Sequence, residues 1–230
     1  MLRKVISYLE SSGYRVIGRV EGSGKYEILL LERGGAKYVA RVGARDCVFE
    51  SSYCREISSC PNIAVPEFVN NSISIAIRRY LPYTLRDIIE KRAADDVAVA
   101  SIILDLCRAL SCIHSKELVY TDLKPENVGV DGRHAFLIDT DSLTRPFSRP
   151  RFITMDYAPP EYIEWGIVVK ESDLYQLGMV IKEVSACANS DTLRSELESI
   201  ATELTAKNPF ARPSTKVIEA RIARLVDRLS

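Results

Sequence analysis

The sequence predicts a bilobal α+β fold: a small antiparallel-sheet half over residues 1–81 and a larger helical half over residues 82–230. Three observations carry this. Before residue 80, short β-type runs alternate with turn residues. After it, apolar residues recur with helical spacing. The charge divides at the same place, with 12 basic and 8 acidic residues in the first 81 positions and 19 and 23 in the rest. At 230 residues the chain is long enough for one large domain or two small ones.

The elements follow in order. Residues 14–20, 26–31 and 37–42 read as three strands, turned at Glu21-Gly22-Ser23-Gly24 and Arg33-Gly34-Gly35. Residues 46–58 read as a helix. A strand pair is expected at 64–70 and 74–80, joined at Asn70-Asn71-Ser72. Val97–His114 carries apolar residues at 99, 102, 103, 106, 109, 110 and 113, the stripe of a buried helix. A hairpin is expected where two apolar runs, 128–130 and 135–138, flank Asp131-Gly132. Residues 173–188, 191–206 and 214–229 read as three further helices, with Pro209 and Pro213 breaking the chain before the last.

Composition removes several function classes. Apolar residues make up 47% and charged residues 27%, which is ordinary for a globular chain and excludes disordered or collagenous classes. Lys plus Arg equals Asp plus Glu at 31 each, so neither a nucleic-acid nor a membrane-surface partner is expected. No apolar run reaches about 18 residues, and the first ten residues lack the apolar core of a signal peptide. A cytoplasmic location is the expectation. The six cysteines contain no CxxC, and only His114 and His134 could assist them, so no structural zinc is expected. The simplest reading is reduced, buried thiols; a disulfide joining Cys54 to Cys60, or involving Cys47, is the alternative.

The segment His114–Val128 is the richest in chemistry. Asp122 and Asn127 are an acid and an amide five apart, with Lys124 between them. Seventeen residues after Asp122, Asp139 ends an apolar run. Asn127 and Asp139 are suited to share a magnesium ion, which takes a few hard oxygen ligands together with phosphate oxygens. Asp122 is suited to orient a hydroxyl nucleophile, and Lys124 to offset charge on a transferred phosphoryl group.

These residues resemble the eukaryotic-type Ser/Thr protein kinases. Asp122-Leu123-Lys124-Pro125-Glu126-Asn127 matches the catalytic loop D-L-K-P-E-N, and Asp139-Thr140-Asp141 stands where the family has D-F-G. Thr154–Glu161 resembles the end of an activation segment, T-x-x-Y-x-A-P-E. Ser172–Gly178 resembles the S-D-x-x-x-L-G helix that anchors the catalytic loop. Asn208–Ser214 resembles N-P-x-x-R-P-S, whose arginine, here Arg212, pairs in the family with the A-P-E glutamate, here Glu161. Cys60-Pro61-Asn62-Ile63 resembles H-P-N-I. The likeness runs from about residue 14 to 229 and implies a protein-kinase-like fold.

It also implies a site. Asp122, Lys124 and Thr154 would be catalytic, and Asn127 and Asp139 would hold Mg2+, or Mn2+ in its place. ATP would be covered by backbone amides at Gly22 and Gly24 and bonded at adenine by the backbone of Arg79–Leu81. Arg41 stands where the family has its strand lysine, with Glu50 as its helical partner and Glu56 as the alternative. The implied activity is ATP- and magnesium-dependent phosphorylation of Ser and Thr in protein substrates.

Departures from the pattern keep two other readings open. Arg41 is bulkier than lysine. Glu27 replaces the third glycine of the phosphate loop, Asp141 replaces the D-F-G glycine, and Gly129 falls where an apolar side chain usually underlies adenine. A non-catalytic regulator binding nucleotide or a partner is therefore one alternative, and a small-molecule phosphotransferase the other. The histidine and arginine of H-R-D are Tyr120 and Thr121. Without that arginine, activation-segment phosphorylation is not expected to be required, and the short segment should be ordered by its own packing.

Overall fold

A computed structural model describes residues 2–20, 26–43 and 53–229. The chain divides into two compact units, one from residues 1–54 and 64–80, the other from 55–63 and 81–230. The α+β class is as expected. The boundary differs: residues 55–63 and Leu81, placed with the sheet half from sequence, belong to the helical unit. Asn62 explains much of this, because its carbonyl accepts from Leu137 N at 2.9 Å and its Nδ2 donates to Ala135 O at 3.1 Å.

The sheet unit opens with a helix not among the expected elements, α1 (Leu2–Ser11). Its Val5 and Leu9 are fully buried with Leu29, Leu31, Ala40, Ile75 and Ile77, and Leu2 and Ile6 pack against that cluster. The spacing 2, 5, 6, 9 is one helical face. Five strands follow: β1 (Arg15–Val20), β2 (Glu27–Arg33), β3 (Ala36–Val42), β4 (Phe68–Asn70) and β5 (Ile75–Arg79). They form an antiparallel sheet in the order β1-β2-β3-β5-β4. Gly34 and Gly35 both have positive φ, 58° and 78°, which a two-residue turn between Arg33 and Ala36 requires. β4 is shorter than the expected 64–70; the Asn70 side chain accepts from Ser72 N at 3.0 Å and turns the chain there.

The expected helix over 46–58 falls partly on residues outside those described. Its described end, 53–59, consists of turns.

In the helical unit, β6 (Tyr83–Thr84) leads into α2 (Leu85–Lys91). Thr84 and Asp87 make a reciprocal cap: the Thr84 side chain accepts from Asp87 N, and the Asp87 carboxylate accepts from Thr84 N. The long helix α3 (Asp96–Ser115) is capped by Asp95, which accepts from Ala98 N at 2.7 Å. It is apolar enough to cross a membrane by composition, but 72% of its most apolar window is buried inside the unit, so that character serves the core. The hairpin β7 (Val128–Asp131) and β8 (His134–Leu137) turns at Gly132, with φ 62°, and β6 pairs with β7. Then come α4 (Pro160–Glu164), α5 (Lys170–Ser185), α6 (Asp191–Leu204) and α7 (Thr215–Leu229). The last three match the expected helices to within a few residues.

The cysteine expectations are corrected. Cys60 is bonded to Cys112 on α3, Cys107 and Cys187 are free thiols, and Cys54, Cys107 and Cys187 are all buried. Cys60 lies near α3 because 55–63 docks on this unit, whereas Cys54 belongs to the other. Cys47 lies outside the described residues.

Candidate active site

The loop after α3 is held by one buried carboxylate. Asp173, in the first turn of α5 and 0% exposed, accepts from Tyr120 N, Thr121 N and His114 Nε2, each at 2.8 Å. One turn on, Gln176 accepts from Leu123 N at 3.0 Å and donates to Thr121 O at 3.0 Å. An i, i+3 pair on one helix thereby reads the loop's backbone on both sides of Asp122. Thr121 needs this support, since its φ is 71°, a costly value for a β-branched residue. Its hydroxyl donates to Ser142 O at 2.8 Å, and Ser142 Oγ donates to Tyr120 O at 2.6 Å. At the position where the resemblance expects a charged arginine, a short hydroxyl pins the chain just past Asp141.

The backbone so fixed brings four expected residues together. Lys124 Nζ lies 2.9 and 3.1 Å from the two Asp122 oxygens and 2.9 Å from Thr154 Oγ1. Thr154 Oγ1 donates to Asp122 Oδ1 at 3.0 Å. Asn127 Nδ2 donates to both Asp122 O and Asp122 Oδ2 at 2.8 Å. The Asp122 and Lys124 side chains remain 13% and 21% exposed, so both keep some solvent-facing surface.

Asn127 and Asp139 lie at one end of the β7–β8 hairpin, where Ile138 N donates to Asn127 O at 3.0 Å. With Nδ2 committed to Asp122, the oxygen of the Asn127 amide is the atom left to ligate. Asp139 Oδ1 accepts from Asp141 N at 3.1 Å. A carboxylate and an amide oxygen suit Mg2+, which keeps waters and takes substrate phosphates rather than a full protein cage. Consistent with so sparse a donor set, no group of three or more His, Cys, Asp or Glu is placed to hold a metal among the described residues. Tyr120 is fully buried, and its phenol pKa is pushed well up by burial and then by the nearby Asp139 and Asp122 carboxylates.

The expected nucleotide residues are more dispersed. Gly22, Gly24 and Glu50 lie outside the described residues. Arg41 sits on β3 opposite Ile28 and Ala76, its guanidinium 4.3 Å from the Tyr26 ring centre. Glu56, the alternative to Glu50, pairs with Arg145 at 3.0 Å. Arg79 pairs with Tyr38 in the sheet unit, whereas Leu81 begins the helical unit, so the expected adenine-binding stretch lies at the junction in the chain. The Leu81 side chain accounts for Gly129: a Cβ there would run into Leu81 Cδ1 and come within 2.8 Å of Ile138 Cγ2.

The segment from Thr140 to Thr154 is tied at several points. Val119 and Thr144 exchange backbone hydrogen bonds at 2.9 and 3.1 Å. Arg145 donates to Lys116 O, and Arg151 donates to Asp141 O at 3.0 Å. Phe147 N donates to Val168 O at 2.7 Å. Beyond it, Arg212 and Glu161 form the expected pair at 2.7 and 2.9 Å, both side chains fully buried. Sequence reasoning missed His114 and Gln176; the i+3 spacing of Gln176 from Asp173 was the available signal.

Comparison with known proteins agrees with this geometry. The family described as the protein kinase domain matches residues 45–190. An Aurora kinase of Schizosaccharomyces pombe is 34% identical over 97 residues, 40% of this chain and 27% of that protein. Aurora kinase A-B of Xenopus laevis is 37% identical over 93 residues, 39% of this chain and 23% of that protein. A probable serine/threonine-protein kinase of Clostridium perfringens is 25% identical over 203 residues, 74% of this chain and 30% of that protein. The chain thus spans less than a third of the length of these relatives. With a family match over more than half of its residues, the chain belongs to the protein kinase family.

Proposed function

We propose that this chain transfers a phosphoryl group from ATP to Ser or Thr hydroxyls of protein substrates, using Mg2+ or Mn2+. The observation that carries the reading is the closed set of bonds among Asp122, Lys124 and Thr154. In the reaction, Asp122 accepts a hydrogen bond from the acceptor hydroxyl and takes its proton as the new oxygen–phosphorus bond forms and the bond from the γ-phosphorus to the bridging oxygen breaks, ADP leaving with that electron pair. Lys124 lies against the same carboxylate and offsets negative charge on the transferred group. Thr154 bonds to both and ties the end of the Thr140–Thr154 segment to them. Asn127 and Asp139 would hold the metal, which when bound neutralises phosphate charge. A small-molecule phosphotransferase is disfavoured by Lys124, bonded here to Thr154, since phosphotransferases of related fold that act on small molecules usually lack a lysine at this place. Arg41, Glu27 and Asp141, which stand where the family has a lysine and two glycines, motivate the non-catalytic regulator as the second reading.

The test is labelled-phosphate transfer to a peptide library, with phosphoamino-acid analysis. Asp122→Ala should lower turnover by about 100-fold or more while leaving nucleotide affinity nearly intact. Asp139→Ala should also abolish transfer, but through weaker magnesium-dependent nucleotide binding. Full turnover in both variants would refute the assignment.

A further inference from the structure

The side chain of Arg86 is held by three residues from three separate segments. Its Nε donates to Glu126 at 2.7 Å, its Nη1 to Glu183 at 2.7 Å and its Nη2 to Tyr157 Oη at 2.9 Å. Tyr157 Oη in turn donates to the other oxygen of Glu183, which closes a ring. Burial alone would lower the Arg86 pKa, but its bonds to the two carboxylates outweigh that and raise it. Tyr157 is pushed up by burial and by Glu183.

Two of these partners sit on short 3-10 turns. Glu126 is the middle residue of the turn Pro125–Asn127, and Tyr157 ends the turn Met155–Tyr157. A three-residue turn has little stability of its own. The first turn carries Asn127, and the second follows directly on Thr154. The third partner, Glu183, is on α5, the helix whose Asp173 holds the loop at Thr121. Arg86 itself is placed firmly, as the second residue of a helix whose start is fixed by the Thr84–Asp87 cap, with Thr84 paired to Gly129.

We propose that Arg86 is a positioning residue: its guanidinium, seated in a cradle of Glu126, Glu183 and Tyr157, sets the turn bearing Asn127 against the turn that follows Thr154. Its catalytic consequence rests on the phosphoryl-transfer reading; its structural consequence does not. A guanidinium suits the place because only a planar fork reaches three acceptors in three directions. Lysine would reach one or two. Removing Arg86 leaves two carboxylates facing each other with no cation between them, and the two turns lose their common tie.

The primary experiment is amide hydrogen exchange on the whole chain, with Arg86→Ala against the parent. The reporters are Asn127 N, bonded to Lys124 O at 2.9 Å, and Tyr157 N, bonded to Thr154 O at 3.0 Å. Exchange at both should rise about tenfold or more in the variant. Methylguanidinium at millimolar concentration should restore protection, and sodium chloride at the same concentration should not. Glu183→Gln, which keeps Arg86 but removes the charge and one of the two acceptor oxygens at this position, should loosen Tyr157 more than Asn127. If transfer is measurable in the parent, Arg86→Ala should lower kcat about tenfold or more, with nucleotide KM within about twofold and partial rescue by methylguanidinium. Unchanged exchange at both reporters would overturn the proposal, as would loosening that spreads over α3 and α5 alike and is not restored by methylguanidinium. If the parent shows no transfer while the exchange results hold, the phosphoryl-transfer reading fails and the positioning role stands.

Discussion

Replacing Asp173 with Asn should destabilise the helical unit by about 3–5 kcal/mol, because one fully buried carboxylate serves three donors. Oδ2 accepts from Tyr120 N and His114 Nε2, and Oδ1 accepts from Thr121 N. An amide supplies one acceptor oxygen and an NH2 group. If the oxygen stays with Tyr120 and His114, the NH2 faces Thr121 N, and two donors meet with no acceptor. If the amide is turned, the NH2 faces Tyr120 N and His114. Hydrogen bonds to a charged group contribute roughly 1.5–3 kcal/mol each, and a buried unsatisfied donor costs about 1–3 kcal/mol. Release of the strained Thr121 backbone returns part of this, on the order of 1–3 kcal/mol. That release also moves Asp122, so activity should fall further than stability alone implies. The assay is urea unfolding followed by fluorescence of Trp165, the single tryptophan, which lies in the helical unit. With a slope of about 3 kcal/mol per M, the midpoint should fall by about 1–1.7 M. A midpoint within about 0.3 M of the parent would show that the loop does not depend on this carboxylate.

Glu161→Gln should cost about 3–5 kcal/mol, since it leaves the Arg212 guanidinium buried without its counter-charge. Adding Arg212→Met should recover part of that loss, and a purely additive double variant would count against the explanation. Reducing the Cys60–Cys112 bond opens a loop of 52 residues, which chain entropy values at about 4 kcal/mol. Dithiothreitol should therefore lower the unfolding midpoint of the parent and leave that of Cys112→Ser unchanged; equal shifts in both would be inconsistent with the bond. Asp87 is held below the usual carboxylate range by the side-chain and backbone donors of Thr84. Its contribution is thus complete above the ordinary Asp pKa of about 3.9 and is lost as pH falls through the lower folded value. Thr84→Ala should remove about 1 kcal/mol at neutral pH and flatten that acid limb, and a parallel pH profile would contradict the assignment.

Much of the helical unit was legible because its signals are local. The stripe of α3, the Asp131-Gly132 hairpin and the Asp122–Asn127 spacing each lie within 20 residues, and each states its own geometry. The stripe at Leu2, Val5, Ile6 and Leu9 is equally local, and it states the helix α1 in the same way. The fate of 53–59 was not legible in the same way. Its composition suits a helix, yet its described residues form turns, with Cys60 bonded to α3 and Asn62 bonded to β8.

What the sequence by itself determined is which side of each element is buried and which short segment carries the chemistry. Periodic burial and turn chemistry act over a few residues and need no knowledge of the remaining chain. Only the tertiary structure decided partners. Cys60 and Cys112 are 52 residues apart, and Arg86 lies 40, 71 and 97 residues from Glu126, Tyr157 and Glu183. No local pattern encodes such meetings. A guanidinium, a carboxylate or a thiol acquires its role only after packed helices and paired strands have closed the chain between it and its neighbour.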